Sequence, residues 1–146
     1  MLAQIDAAFA TVPRPGNDEL LHPNCADDND IMALYEVTDW HDLSDATVEN
    51  EYAALSFLSP AGFRYFISAY MSFTLRHPES GAAAVESTIW SLSPVNDQHF
   101  NRSKFILFNA AQSAAVVAFL EAMGAYEEVD DALLFWLERK SQFDEM

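Results

Sequence analysis

Apolar positions along the chain fall into blocks of helical spacing, separated by proline, glycine and acidic stretches. Leu2, Ile5, Phe9 and Val12 recur on one helical face, which predicts a short amphipathic helix over residues 2–11. Pro13-Arg14-Pro15-Gly16 ends it, because proline cannot donate to the helix ladder and glycine relaxes the turn. Ile31, Leu34, Tyr35 and Val37 mark a second helix, with Asp27, Asp28 and Asp30 near its positive N-terminal end. Trp40, Leu43, Val48, Tyr52 and Leu55 predict a helical or turn-rich segment that returns to the core.

The sharpest start signal is Ser59-Pro60. Ser59 can cap the free N–H groups of the following turn, and Pro60 suits the first helical position. The helix after it, ending near His77-Pro78, places Phe63, Phe66, Ile67, Tyr70, Phe73 and Thr74 on a wide apolar face, which Tyr65 and Met71 extend around the cylinder. Such a helix belongs at the centre of a core. Glu79-Ser80-Gly81 is a break, and Val85, Ile89 and Leu92 predict a helix over 82–92. A second Ser-Pro junction at Ser93-Pro94-Val95-Asn96 leads into an expected polar loop ending near Ser103.

Phe105-Ile106-Leu107-Phe108 has strand propensity but no partner strand, so it reads as a buried extended entry to the next helix. That helix opens on a capping box, Asn109 with Gln112, runs through Val116, Val117, Phe119, Leu120 and Met123, and stops at Gly124. Val129, Leu133, Trp136 and Leu137 define the last helix, whose acidic start and Arg139-Lys140 end suit the helix dipole. The expected fold is therefore all-α: one domain, 1–146, of five to six helices around a central aromatic-rich helix at 60–77, with an acidic segment at 17–51.

Charge changes the picture from fold to surface. The 146 residues carry 23 Asp plus Glu against 7 Lys plus Arg, a formal net charge of −16. From Asn17 to Glu51 there are eleven acidic residues and no Lys or Arg. Just over half the residues are nonetheless hydrophobic, which argues against disorder. The charge repels phosphate backbones, so direct nucleic-acid binding is disfavoured, and it attracts a basic protein surface. Trp40 among Asp39, His41, Asp42 and Asp45 reads equally as an interface anchor, a large ring rimmed by steering charges, or as a ring tucked inward. Glu36, Asp39, Trp40, Asp42 and Asp45 are the candidate contact face.

Catalytic and metal signatures are weak. His22-Pro23-Asn24-Cys25 has an H-x-x-C spacing near Asp27, Asp28 and Asp30, yet no second cysteine pair completes a structural zinc set. No G-x-S-x-G surrounds any serine, and Cys25 lacks electropositive sequence neighbours. His41, His77 and His99 are candidate bases in polar or terminal settings. Four glycines in the whole chain supply neither a P-loop nor a dinucleotide fingerprint, so no cofactor is expected. Arg64, which interrupts the apolar helix, reads either as a structural arginine paired with an acid or, with Tyr65 and Tyr70, as part of a ligand pocket. The single cysteine forms no internal disulfide, the opening Met-Leu-Ala-Gln-Ile-Asp lacks the pattern of a secretory signal, and no run reaches the roughly 18 apolar residues of a membrane span. The expected location is the cytoplasm.

The segment Ala54-Leu55-Ser56-Phe57-Leu58-Ser59-Pro60, with Phe63-Arg64-Tyr65-Phe66 and Ala69-Tyr70-Met71, resembles an uncharacterised family of small acidic bacterial proteins sharing an ALSFLSPxxFRYxxxAYM-like core. Residues 5–9, 13–16 and 108–120 resemble it too. The resemblance implies a shared core and no known reaction, and Gly62 stands where relatives have a better helix former, which implies a looser helix start. The functional expectation is a non-enzymatic acidic binding domain, an immunity or inhibitor protein that neutralises a basic toxin domain. The alternatives are a small enzyme or ligand-binding protein using Arg64, Tyr65 and Tyr70, and a DNA mimic.

Overall fold

A computed structural model describes residues 1–80, 83–94, 98–124, 126 and 129–145, with backbone alone at 98–101. Among the described residues the chain is all-α, without strands. It runs α1 (Leu2–Phe9), α2 (Asp45–Asn50), α3 (Ala54–Phe57), α4 (Pro60–Arg76), α5 (Ala83–Ser91), α6 (Gln98–Phe105), α7 (Ala110–Ala122) and α8 (Val129–Asp144). Tighter 3-10 helices at Asn17–Glu19, Asn29–Glu36 and Trp40–Asp42 fold the acidic segment.

The Ser59 junction forms as its chemistry requires. Ser59 is extended and its Oγ accepts from the Gly62 N–H at 3.1 Å, with Pro60 opening the helix. The same hydroxyl donates to Glu19 O at 2.7 Å, and the Ser59 N–H donates to Leu20 O at 2.7 Å. A third bond, from the His22 N–H to Phe57 O at 2.8 Å, completes a short antiparallel contact between residues 20–22 and 57–59. One residue thus caps α4 and staples the acidic segment to it.

Helix α4 is buried on nearly every side. Phe63, Phe66, Ile67, Tyr70, Met71 and Phe73 have no exposed surface, and each such side chain contributes about 1.5–3 kcal/mol on leaving water. The helix packs against α1, α2, α3, α5, α6, α7 and the Trp40–Asp42 turn. The fully buried Ser68 and Thr74 hydroxyls bond within the helix, Ser68 to Tyr65 O at 2.8 Å and Thr74 to Tyr70 O at 2.9 Å. A second layer pairs α7 with α8. There Trp136 packs on Phe105 and Phe108, with ring centroids 4.9 and 5.1 Å away, and donates its indole N–H to Leu92 O at 2.9 Å. The Asn109–Gln112 capping box is complete, and the Gln112 amide reaches Ala8 O at 3.3 Å, tying α7 to α1.

Three expectations need correction. The second helix is a 3-10 helix, Asn29–Glu36; its buried residues, Ile31 and Leu34, lie three apart and satisfy either geometry. The polar loop before Ser103 holds α6, while Val95 and Asn96 of the Ser-Pro junction lie outside the described residues, as do Gly81 and Ala82. A core position of α6 is taken by a lysine: Lys104 is fully buried, its ammonium bonded to Leu55 O at 2.7 Å and 5.1 Å from the Phe63 ring centroid. An apolar-periodicity argument misses such a helix. Finally, Phe105–Phe108 is a turn and not a buried extended run. Phe105 and Phe108 are buried while Ile106 is 71 % exposed. Two arginines hold it, Arg64 through Leu107 O at 3.0 Å and Arg139 through Ile106 O at 3.1 Å and Phe108 O at 2.8 Å. The eight α-helices among the described residues exceed the expected five to six because α2, α3 and α6 are short or polar.

Gly62 has a positive role in this packing. A Cβ there would lie 3.2 Å from Leu20 O and 3.3 Å from the Leu20 and Leu58 Cδ2 atoms. Leu20 O is pinned by the Ser59 N–H, so it cannot give. Gly62→Ala gains about 1 kcal/mol of helix propensity but incurs about 1–3 kcal/mol of overpacking. The expected result in a urea melt is a net loss of about 1 kcal/mol; a stabilised variant would show that the junction is loose.

Candidate functional site

The acidic segment meets α1 and α4 at a surface pocket of about 530 Å³. Its lining includes Asp6 of α1, Trp40, His41 and Asp42 of the 3-10 turn, Asp45 at the start of α2, and Arg76 at the end of α4. Leu2, Ala3, Leu43 and Ala69 supply apolar wall, and Ser44 and Ser72 supply hydroxyls.

Each wall is set by local chemistry. Trp40 is buried, with its backbone N–H donating to the Tyr65 hydroxyl at 3.0 Å, while that hydroxyl donates to Thr38 O at 3.3 Å. A residue of α4 therefore holds the turn from below. Asp39 caps the turn by accepting from the His41 N–H at 3.0 Å. Ser44 caps α2 by accepting from the Thr47 N–H at 3.2 Å. From outside the segment, Arg14 donates to Val37 O at 2.6 Å and Leu34 O at 3.1 Å, fixing the chain just before the turn.

Two charge clusters border the pocket. In one, the His41 ring stacks on Trp40 with centroids 3.8 Å apart, its Nδ1 lies 2.6 Å from Asp39, and its Nε2 bonds Asp6. The hydrogen bonds that His41 donates to Asp6 and Asp39 raise its pKa above the ordinary value, against a smaller opposing effect of burial. Asp39 is correspondingly lowered, first by the His41 backbone N–H and then by its ring. In the other cluster, Asp45 meets Arg76 at 2.8 Å and His77 at 3.0 Å. Burial pushes the Asp45 carboxyl up, but the hydrogen bonds from His77 and Arg76, with their charges, outweigh it and hold the group below the usual carboxylate range.

The candidate contact residues thus divide. Asp42 and Asp45 line the pocket, Asp39 stands behind His41, and Glu36 is exposed at the end of its 3-10 helix. Trp40, for which both an anchor and an inward position were open, is 7 % exposed and borders the pocket. Arg64, Tyr65 and Tyr70 do not line this pocket. Arg64 holds the 106–108 turn, Tyr65 supports Trp40, and Tyr70 is buried with its hydroxyl on Glu51 O at 2.7 Å. Arg64 pairs with a backbone carbonyl where an acidic partner was expected. Asp6 and Arg76 were not legible as site residues, because nothing local marks a contact such as Asp6 with His41, 35 positions apart.

When the ring is protonated, both nitrogens of His41 are committed to carboxylates. Among the described residues no cluster of three or more His, Cys, Asp or Glu is placed to hold a metal ion. His22 accepts the Asn24 N–H at 3.1 Å and Cys25 lies 3.8 Å from Phe57 O, with the thiol pKa raised chiefly by burial. The side chain of His99 lies outside the described residues. No described helix is long and apolar enough to cross a membrane.

Fold and site together describe an all-helical domain with an acidic surface pocket. The chain belongs to a family of unknown function, DUF6714, whose model matches residues 1–140. No curated protein and no solved structure matches it.

The Asp45 cluster makes a testable pH dependence. A carboxyl lowered by folding adds stability that is full above its unfolded pKa and is lost as pH falls through the folded value. Asp45→Ala is expected to lower stability at pH 7 by up to about 1 kcal/mol, the scale of exposed pairs. The difference from the parent chain should vanish in acid, where both lack the charge; a gap that persists unchanged at pH 2 would show that the ion pairs contribute nothing.

Proposed function

We propose that this chain is a non-enzymatic acidic protein-binding domain that docks a basic partner surface through the pocket and its rim. The observation that carries the reading is the pocket itself, a concavity of about 530 Å³ with Asp6, Asp42 and Asp45 in its wall and apolar floor beneath them. Counting Asp6, Asp39, Asp42 and Asp45 against Arg76 and a protonated His41, the site retains a negative surplus. A lysine or arginine of a partner fits both features, its methylene stem against Trp40, Leu43 and Ala69 and its charge among the carboxylates.

The net charge of −16 supports the same reading at longer range, because it steers a cationic protein toward the domain. An immunity or inhibitor protein that neutralises a basic toxin domain is the biological form of the proposal. The lone, half-buried Cys25 is compatible with a reducing compartment, and the proposal places the protein in the cytoplasm.

The test has two steps. Pull-down from the native host with the tagged chain should recover a basic protein, and cross-linking should map it to residues 36–45. Glu36→Gln and Asp42→Asn, at exposed positions, should then weaken binding by about two- to fivefold each, as rim charges do. Added salt should weaken the parent complex as well. Affinity that ignores both substitutions and salt removes this face from the proposal.

A further inference from the structure

The contact between Asp6 and His41 is the one described side-chain bond joining α1 to the acidic turn across the pocket, and it depends on a proton. A neutral imidazole has a single N–H donor, whereas a protonated one has two. His41 faces a carboxylate at each nitrogen, Asp6 at Nε2 and Asp39 at Nδ1. Both bonds therefore exist together only when the ring carries its second proton. We propose that His41 is a proton-operated strap across the pocket mouth: protonated, it ties α1 to the Trp40–Asp42 turn; neutral, it lets α1 go.

The bond that breaks is set by the surroundings. Asp39 belongs to the same turn and is already held by the His41 backbone N–H at 3.0 Å, so the Nδ1 proton stays with it. Nε2 then presents a lone pair to Asp6, and attraction becomes repulsion. The ring itself does not swing freely, because it remains stacked on Trp40 at 3.8 Å. Other charged groups at the pocket are Asp42 on the same turn, Asp45 from α2 and Arg76 from α4; Asp45 and Arg76 satisfy each other at 2.8 Å. The side chains of His41 and Asp6 are 47 % and 60 % exposed, so solvent protons reach the strap.

A histidine raised on folding gives a tie that is complete below its unfolded value, near 6.5, and is lost as pH rises through the higher folded value. Release uncovers Asp6 and removes one positive charge from the pocket. Resting on the reading of the pocket as a site for basic side chains, this makes binding tighter on the alkaline side.

The experiment follows the His41 ring nitrogens and the α1 backbone amides by NMR in the free chain from pH 5.5 to 9. The strap predicts both nitrogens protonated at pH 6.5, a midpoint above the ordinary histidine value, and α1 amide shifts that move with the same midpoint. Asp6→Asn should lower that midpoint and uncouple α1, with helix content unchanged by circular dichroism. A His41 midpoint at or below about 6.5, with α1 amides flat, overturns the strap. Polylysine then serves as the cationic probe: its affinity should rise roughly two- to fivefold from pH 6 to pH 8.5, and His41→Gln should abolish the rise. A coupled titration without polylysine binding at any pH sustains the strap and overturns the recognition reading; binding whose pH dependence survives His41→Gln overturns the regulatory role.

Discussion

Ser59 makes the contact on which the rest of the molecule depends. Its hydroxyl accepts from Gly62 and donates to Glu19 O, and its N–H donates to Leu20 O, so one residue starts the central helix and attaches the acidic segment to it. The three bonds demand close approach, and Gly62 supplies it. What looks in the sequence like a weak helix start is a docking surface for the Leu20 carbonyl. Once α4 is anchored there, its buried aromatic faces organise the neighbouring helices, its Tyr65 holds the Trp40 turn, and its Arg76 lines the pocket.

The acidic stretch has no lysine or arginine of its own, and groups supplied from elsewhere help to fold it. Arg14 binds the carbonyls of Leu34 and Val37 from before the segment, while Tyr65 and Arg76 act from after it. These contacts shape the backbone more than they neutralise the charge. Most carboxylates of the segment remain exposed, which is the physical basis for reading the surface as a recognition face.

The two arginines at the 106–108 turn illustrate a different economy. Arg64 and Arg139 come from separate helices and bind three successive carbonyls, so the turn's backbone is held at three points although two of its side chains face water. A charge within an apolar helix suggested either an ion pair or a ligand pocket. The third option, a guanidinium serving backbone oxygens, needs the turn to be folded before it can be seen. Lys104 makes the same point more strongly, since its ammonium on Leu55 O occupies a core position that no apolar pattern announces.

What the residues determined alone was everything governed by neighbours within a turn or two. The Ser59-Pro60 start, the Asn109–Gln112 box, the dense aromatic face of α4 and the acidity of 17–51 are local, so capping rules and helical periodicity recover them, and with them the all-α class. Tertiary structure alone decided that Trp40 lies inward, that Asp6 and Arg76 join the acidic turn, and that His41 bridges two carboxylates from different elements. Those facts depend on contacts between residues 25 to 35 positions apart, whose geometry exists only after α1 and the turn have packed on α4.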